Sequence, residues 1–162
     1  MHYTWRPAIL EDVVAITNMT NAYMRSEIEP IFEADVIVYS RNITTAILNQ
    51  QYIPLSESLG VAYDYTNTKL LAYTWIKGYE RAPWSDDYVA MVRMAQVDMS
   101  LSTTKRYKLI SDMMLLWERY ANLAKNKVIC STSVRCDQDN FMALHRRRGY
   151  DVRGSYAYKR LT

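Results

Sequence analysis

Apolar residues recur along the chain with two spacings, and the switches between them mark out the elements. Residues 3–6 (YTWR) read as a short strand that Pro7 ends, because proline has no N–H to give a ladder. From Glu11, the spacing of Val13, Val14, Ile16, Thr17 and Met19 predicts a helix running toward Tyr23. Pro30 interrupts it, and a second helix over 34–49 carries Val36, Val38, Tyr39, Ile43, Ile47 and Leu48. Strands follow at 58–65 and 70–77, joined as a hairpin across the turn residues Thr66, Asn67 and Thr68. After a polar loop over 78–87, Tyr88–Val97 is nearly continuous in apolar character, the profile of a central strand buried on both faces.

A helix over 102–126 comes next, with Leu109, Met113, Leu116, Trp117 and Tyr120 on its apolar face. A strand over 127–134 precedes a helix over 137–148, which Gly149 ends by tolerating the left-handed cap conformation. Strands at 150–153 and 155–159 close the chain around Gly154. The order is β-α-α-β-β-β-α-β-α-β, an α/β (α+β) arrangement in one domain over 1–162, without internal repeat or linker.

Bulk composition narrows the function classes. With 162 residues, one domain buries about 68–70% of its unfolded surface. An apolar fraction of 49% and a charged fraction of 23% are ordinary for a globular chain. A net charge of +3 is too small to point to nucleic acid. No apolar run reaches the roughly 20 residues of a membrane helix, and residues 1–14 lack a signal-peptide layout, so a cytoplasmic location is expected. Cys130 and Cys136 are expected to be reduced. Two histidines without a tight Cys/His cluster predict no metal site.

The chemistry concentrates between Gln96 and Trp117. There an apolar strand breaks at Ser100–Thr104 and feeds a helix whose first turn carries Lys105, Arg106 and Lys108. A helix N-terminus offers unpaired N–H groups and a positive dipole end, a place for an anion such as phosphate. Cations there oppose the dipole, so the trio reads either as a charge-assisted anion site or as a solvated helical turn.

The element order, with Arg6-Pro7-Ala8 and Asp12 near the start, Val97-Asp98-Met99 after the central strand and the run from Leu144 to Tyr150 (LHRRRGY), resembles the GNAT superfamily of N-acetyltransferases. The resemblance implies a mixed, mostly antiparallel sheet flanked by helices. It also implies acetyl-CoA as co-substrate and a primary amine acceptor, either a small molecule or a protein. On that likeness the backbone of Val97, Asp98 and Met99 pairs with the pantetheine arm, and the stretch with Lys105, Arg106, Lys108, Leu109 and Ser111 holds the pyrophosphate. His145 stands where the family places a tyrosine that protonates the departing thiolate, a task within reach of imidazole. Against this, a histidine before Gly149 also suits a helix C-terminus. The sequence departs from the family where glycines let backbone approach the pyrophosphate, since Leu109 and Ser111 occupy those places and carry a Cβ. No general base is assignable: Asp98, Asp86, Asp87 and Glu80 all read better as loop charges. Two functions therefore stand, an acetyltransferase and a binding protein of the same fold without catalysis. Monomer and homodimer both stay open.

Overall fold

A computed structural model describes residues 2–28, 31–133 and 138–154, together with 157 and 159, and gives backbone alone at 24–28. Its elements are β1 (Tyr3–Pro7), a 3-10 turn (Leu10–Asp12), α1 (Val13–Ile28), α2 (Val36–Tyr52), β2 (Glu57–Asp64), β3 (Leu70–Arg81), β4 (Tyr88–Val97), α3 (Thr103–Leu123), β5 (Val128–Cys130) and α4 (Asp139–Arg147). Among the described residues the strands form one sheet in sequence order, antiparallel except for the parallel β4–β5 pair.

Alternation along the strands divides the core in two. Leu59, Val61 and Tyr73 pack with Ile16 of α1 and with Ile43 and Ile47 of α2. On the other face Ala62, Ile76 and Val92 meet Leu109, Met113 and Trp117 of α3. Apolar burial of this kind stabilises each layer by about 25 cal/mol per Å² removed from water. Several polar groups inside are paired: Tyr73 OH meets Tyr39 OH at 2.8 Å and also Thr20 Oγ1, while Trp117 Nε1 donates to Thr74 Oγ1 at 2.7 Å.

The turn after β1 is fixed by charge. Arg6 Nη1 and Nη2 donate to the two carboxylate oxygens of Asp12 at 2.7 and 2.8 Å, and Ile9 N–H donates to Asp12 Oδ2 at 2.8 Å. Burial alone would raise the Asp12 pKa, but the Arg6 and Ile9 bonds hold it below the usual carboxylate range. Arg6 and Asp12 of the starting motif are thus structural. The N-cap of α2 is Asp35, whose Oδ1 accepts from Ile37 N–H at 2.8 Å and Val38 N–H at 3.1 Å.

Several boundaries differ from the pattern-based expectation. Strand β3 continues to Arg81, through Gly78 and Tyr79, which the sequence places in a loop. The ladder shifts register there, and Tyr79 adopts a φ of 62° with its N–H held by Asn126 Oδ1 at 3.0 Å. Periodicity has no term for such a bulge, because the side chain that secures it comes from beyond α3. Residues 150–153 are not a strand. Gly149 N–H bonds Arg146 O at 3.1 Å and Tyr150 N–H bonds His145 O at 3.0 Å, the paired bonds of a Schellman cap, with Gly149 at φ 82°. The expected strand over 127–134 is shorter, only Val128–Cys130, with 131–133 irregular, and the expected strand over 155–159 falls largely outside the described residues, as does Cys136. No helix among the described residues is long and apolar enough to cross a membrane.

Candidate functional site

Strands β4 and β5 pair only at Val89–Val128, Ala90–Ile129 and Met91–Cys130. Strand β4 goes on for six more residues to Val97, still paired with β3 on its other side but with no strand of the described residues on the β5 side. Two parallel strands that part in this way leave a cleft with unpaired backbone along one wall. Cys130 sits at its apex, half-buried, with burial pushing its thiol pKa up and making a resting thiolate unfavourable.

The cleft opens toward the N-terminus of α3. Asp98 turns the chain there: its N–H donates to Leu71 O at 2.8 Å, and its carbonyl accepts from Leu101 N–H at 3.1 Å. Its carboxylate pairs with Lys69 Nζ at 2.6 Å and accepts from Ser100 N–H at 2.8 Å. Burial alone would raise its pKa, but Lys69 and Ser100 hold it below the usual range. Asp98 is therefore a turn-former, and it has neither spare backbone for a ligand nor the basicity to take a proton from an amine. The free backbone edge lies further back, over Val92–Val97. Val97 is itself core, and Met99 is half-buried beside it.

Helix α3 begins at Thr103 with Ser102 as N-cap, and the Ser102 hydroxyl makes no capping bond. The helical ladder starts at Arg106, whose N–H donates to Ser102 O at 3.0 Å. The N–H groups of Thr103, Thr104 and Lys105 precede it and are the ones a helix leaves free. Exposed Ser100, Ser102, Thr103 and Thr104 add hydroxyls to the same turn. Sequence reading marks this helix N-terminus as a place for an anion but passes over the hydroxyls as a break; the signal was the density of hydroxyl residues ahead of the helix.

The three basic residues do not converge. Arg106 bends back over the turn, with Nη1 3.5 Å from Met99 Sδ, Nη2 donating to Thr103 Oγ1 at 3.2 Å, and Nε buried without a partner. Lys105 is exposed in the first turn. Lys108 points the other way, its ammonium 5.4 Å from the centre of the Tyr3 ring on β1. Leu109 and Ser111 also leave the candidate site. Leu109 is fully buried against the sheet, and Ser111 is buried with its Oγ unpartnered. Both lie past the first turn, where the N–H groups are committed to the helix. Neither belongs to the first turn, where the N–H groups ahead of the helical ladder lie.

His145 is also different from expectation. It is 1% exposed, packed edge-on against Phe141 and Tyr150 and 6.2 Å from the centre of Trp117. Nδ1 donates to Phe141 O at 2.8 Å, because a carbonyl can only accept; Nε2 then carries the lone pair and is buried without a partner. Burial lowers its pKa, against a smaller raising effect of the Phe141 bond. A neutral imidazole in this tautomer has no proton to give at Nε2, so His145 is a packing residue and not the expected acid. Arg146, Arg147 and Arg148 are all exposed.

No protein-family model matches the sequence, and no curated protein matches it. Solved structures do. A predicted acetyltransferase from Clostridium acetobutylicum, solved with acetyl-CoA, superposes with a TM-score of 0.73 at 12% identity over 98% of this chain and 96% of that one. Glucosamine-6-phosphate N-acetyltransferase from Arabidopsis thaliana gives 0.68 at 8% identity over all of both chains. An aminoglycoside antibiotic 6′-N-acetyltransferase from Acinetobacter baumannii gives 0.67 at 16% over 99% of this chain and 100% of that one. Likeness at this identity speaks for the backbone arrangement, and the chain has the fold of the GNAT-type acetyltransferases.

Proposed function

We propose that this protein moves an acetyl group from acetyl-CoA to a primary amine. The observation that carries the reading is the divergence of β4 from β5 after Met91 and Cys130, with the free N-terminus of α3 at its open end. An extended pantetheine arm suits the unpaired β4 edge over Val92–Val97, as a strand suits a sheet edge. The pyrophosphate suits the N–H groups of Thr103–Lys105, with the surrounding hydroxyls and the charges of Lys105 and Arg106. The orphaned Arg106 Nε fits an anion there. Side chains at 103–105 keep a phosphate further from the backbone than glycines would, and hydroxyls offset that distance with direct hydrogen bonds.

The thioester of acetyl-CoA supplies an activated acetyl group. The chain's own residues contribute positioning: with Asp98 ion-paired and His145 locked as an acceptor, neither moves a proton, and holding two reactants together supplies much of the rate. The acceptor is an amine, and the sugar amines named for two of the structural neighbours are the first to try. The occupied state of Asp98 and His145 also favours a second reading, a protein that binds acyl-CoA without turning it over.

Calorimetric titration with acetyl-CoA tests the first part. Binding is expected, and Lys105→Ala/Arg106→Ala should weaken it by about tenfold or more through loss of charge-assisted contacts. No heat at millimolar ligand would sink the proposal. Release of free CoA thiol in the presence of glucosamine 6-phosphate, aminoglycosides or polyamines supports transfer; binding with no thiol release from any of them supports the second reading.

A further inference from the structure

A pocket lies away from the β4–β5 cleft, at the β1–β2 edge of the sheet. It measures about 850 Å³, opens to solvent and is lined by the turn after β1, the end of α2, the start of β2 and the second half of α3. It exists because β1 leaves the sheet at Pro7, opposite Gly60, with one last bond from Ala8 N–H to Leu59 O at 2.8 Å, so the Glu57–Ser58 end of β2 has no β1 ladder beside it. Its size falls in the range of about 300–1,000 Å³ typical of small-molecule sites.

Gly60 shows that the space is not a by-product of backbone needs. It does not adopt the left-handed conformation that requires glycine, and a Cβ built there meets Trp5, Thr74 and the Arg6 carbonyl only at 3.7–3.9 Å, ordinary contact. A larger residue would suit the strand better and would occupy the cavity, which Gly60 lines.

The wall's chemistry narrows the ligand. Gln50 donates to Ala8 O at 3.2 Å and accepts from Leu59 N–H at 2.6 Å; Glu57 accepts from Asn49 Nδ2 and Trp75 Nε1, both at 2.6 Å. Thr74 and Tyr120 are likewise bonded within the protein. These polar groups are already satisfied, so what the pocket offers a guest is apolar surface from Leu55, Leu116 and the indole of Trp5, with the fully buried Leu59 and Trp117 sealed behind them. Arg119 and Glu11 sit at the rim with opposite signs and favour no net charge. The Trp5 indole rewards flat rings by offset or edge-on stacking.

We propose that this cavity binds an uncharged aromatic molecule of two or three rings, at a site separate from the β4–β5 cleft. Titration with the fluorescent probe N-phenyl-1-naphthylamine tests it on the full chain. One saturable site is expected, displaced by 2-naphthol more strongly than by decanol. Gly60→Val, which fills the cavity from the sheet, and Leu116→Trp, which fills it from α3, should each weaken the probe by at least about tenfold while the melting transition stays cooperative. Lys105→Ala/Arg106→Ala should leave it unchanged. Non-saturable fluorescence, probe affinity untouched by both cavity-filling variants, loss in the Lys105/Arg106 variant, or equal displacement by decanol would each overturn the proposal.

Discussion

His145 illustrates how one residue's role depends on what surrounds it. Its position before Gly149 matches a family motif, yet its Nδ1 bond to Phe141 and its aromatic neighbours make it a neutral packing group. An unfolded histidine titrates near 6.5, while burial lowers the folded value. As pH falls below about 6.5 the unfolded chain takes up a proton that the native state refuses, so stability declines from there toward the lower folded pKa. His145→Phe should remove that contribution to the slope in denaturant melts just below about pH 6.5, at a cost within about 1 kcal/mol near neutrality. It should also leave acetyl transfer unchanged; a large drop in turnover, with binding intact, would restore His145 as the acid. Gly78 makes the opposite case, a glycine that packing demands. A Cβ there would lie 2.6 Å from Tyr120 OH and 3.1 Å from Asn126 Nδ2, so Gly78→Ala should destabilise by about 1–3 kcal/mol in urea unfolding.

At the level of elements, the Arg6–Asp12 pair decides how β1 hands over to α1. Asp12 keeps 4% of its side chain exposed and Arg6 33%, so the pair is half-screened. Asp12→Asn should cost about 2–3 kcal/mol, less than opening a fully buried pair. Because the folded Asp12 pKa is depressed, its contribution is complete above the unfolded value of about 3.9 and fades as pH falls through the lower folded value. Acid melts of the Asn variant should therefore lose part of their steepness below about pH 4. The start of α3 shows what pattern reading misses at this scale. Apolar spacing placed Leu109 on the helix and made it a core residue by its rhythm, while comparison with a family loop made it a ligand contact. Its burial decides for the rhythm. The same uncertainty of a few residues at a helix start set the family loop over 106–111, whereas the N–H groups ahead of the helical ladder are those of 103–105.

For the whole molecule, the open β4 edge makes a spatial prediction. On addition of acetyl-CoA, amide hydrogen exchange should slow over Val92–Val97 and Ser102–Lys105, while β1, β2 and α2 are unaffected. Uniform protection across the sheet would mean that ligand acts through global stability and not at the cleft. Sequence by itself determined the element order from β1 to α4 and the interior place of β4 in the sheet, because period and turn chemistry are local properties of neighbouring residues. Only tertiary structure decided where β4 and β5 part and which way Arg106 and Lys108 point. The same holds for the packing of His145, the ion pair of Asp98 and the pocket left beside Gly60. Each depends on a partner far along the chain, such as Trp117 against His145 or Lys69 against Asp98, and no local pattern records which distant groups will meet.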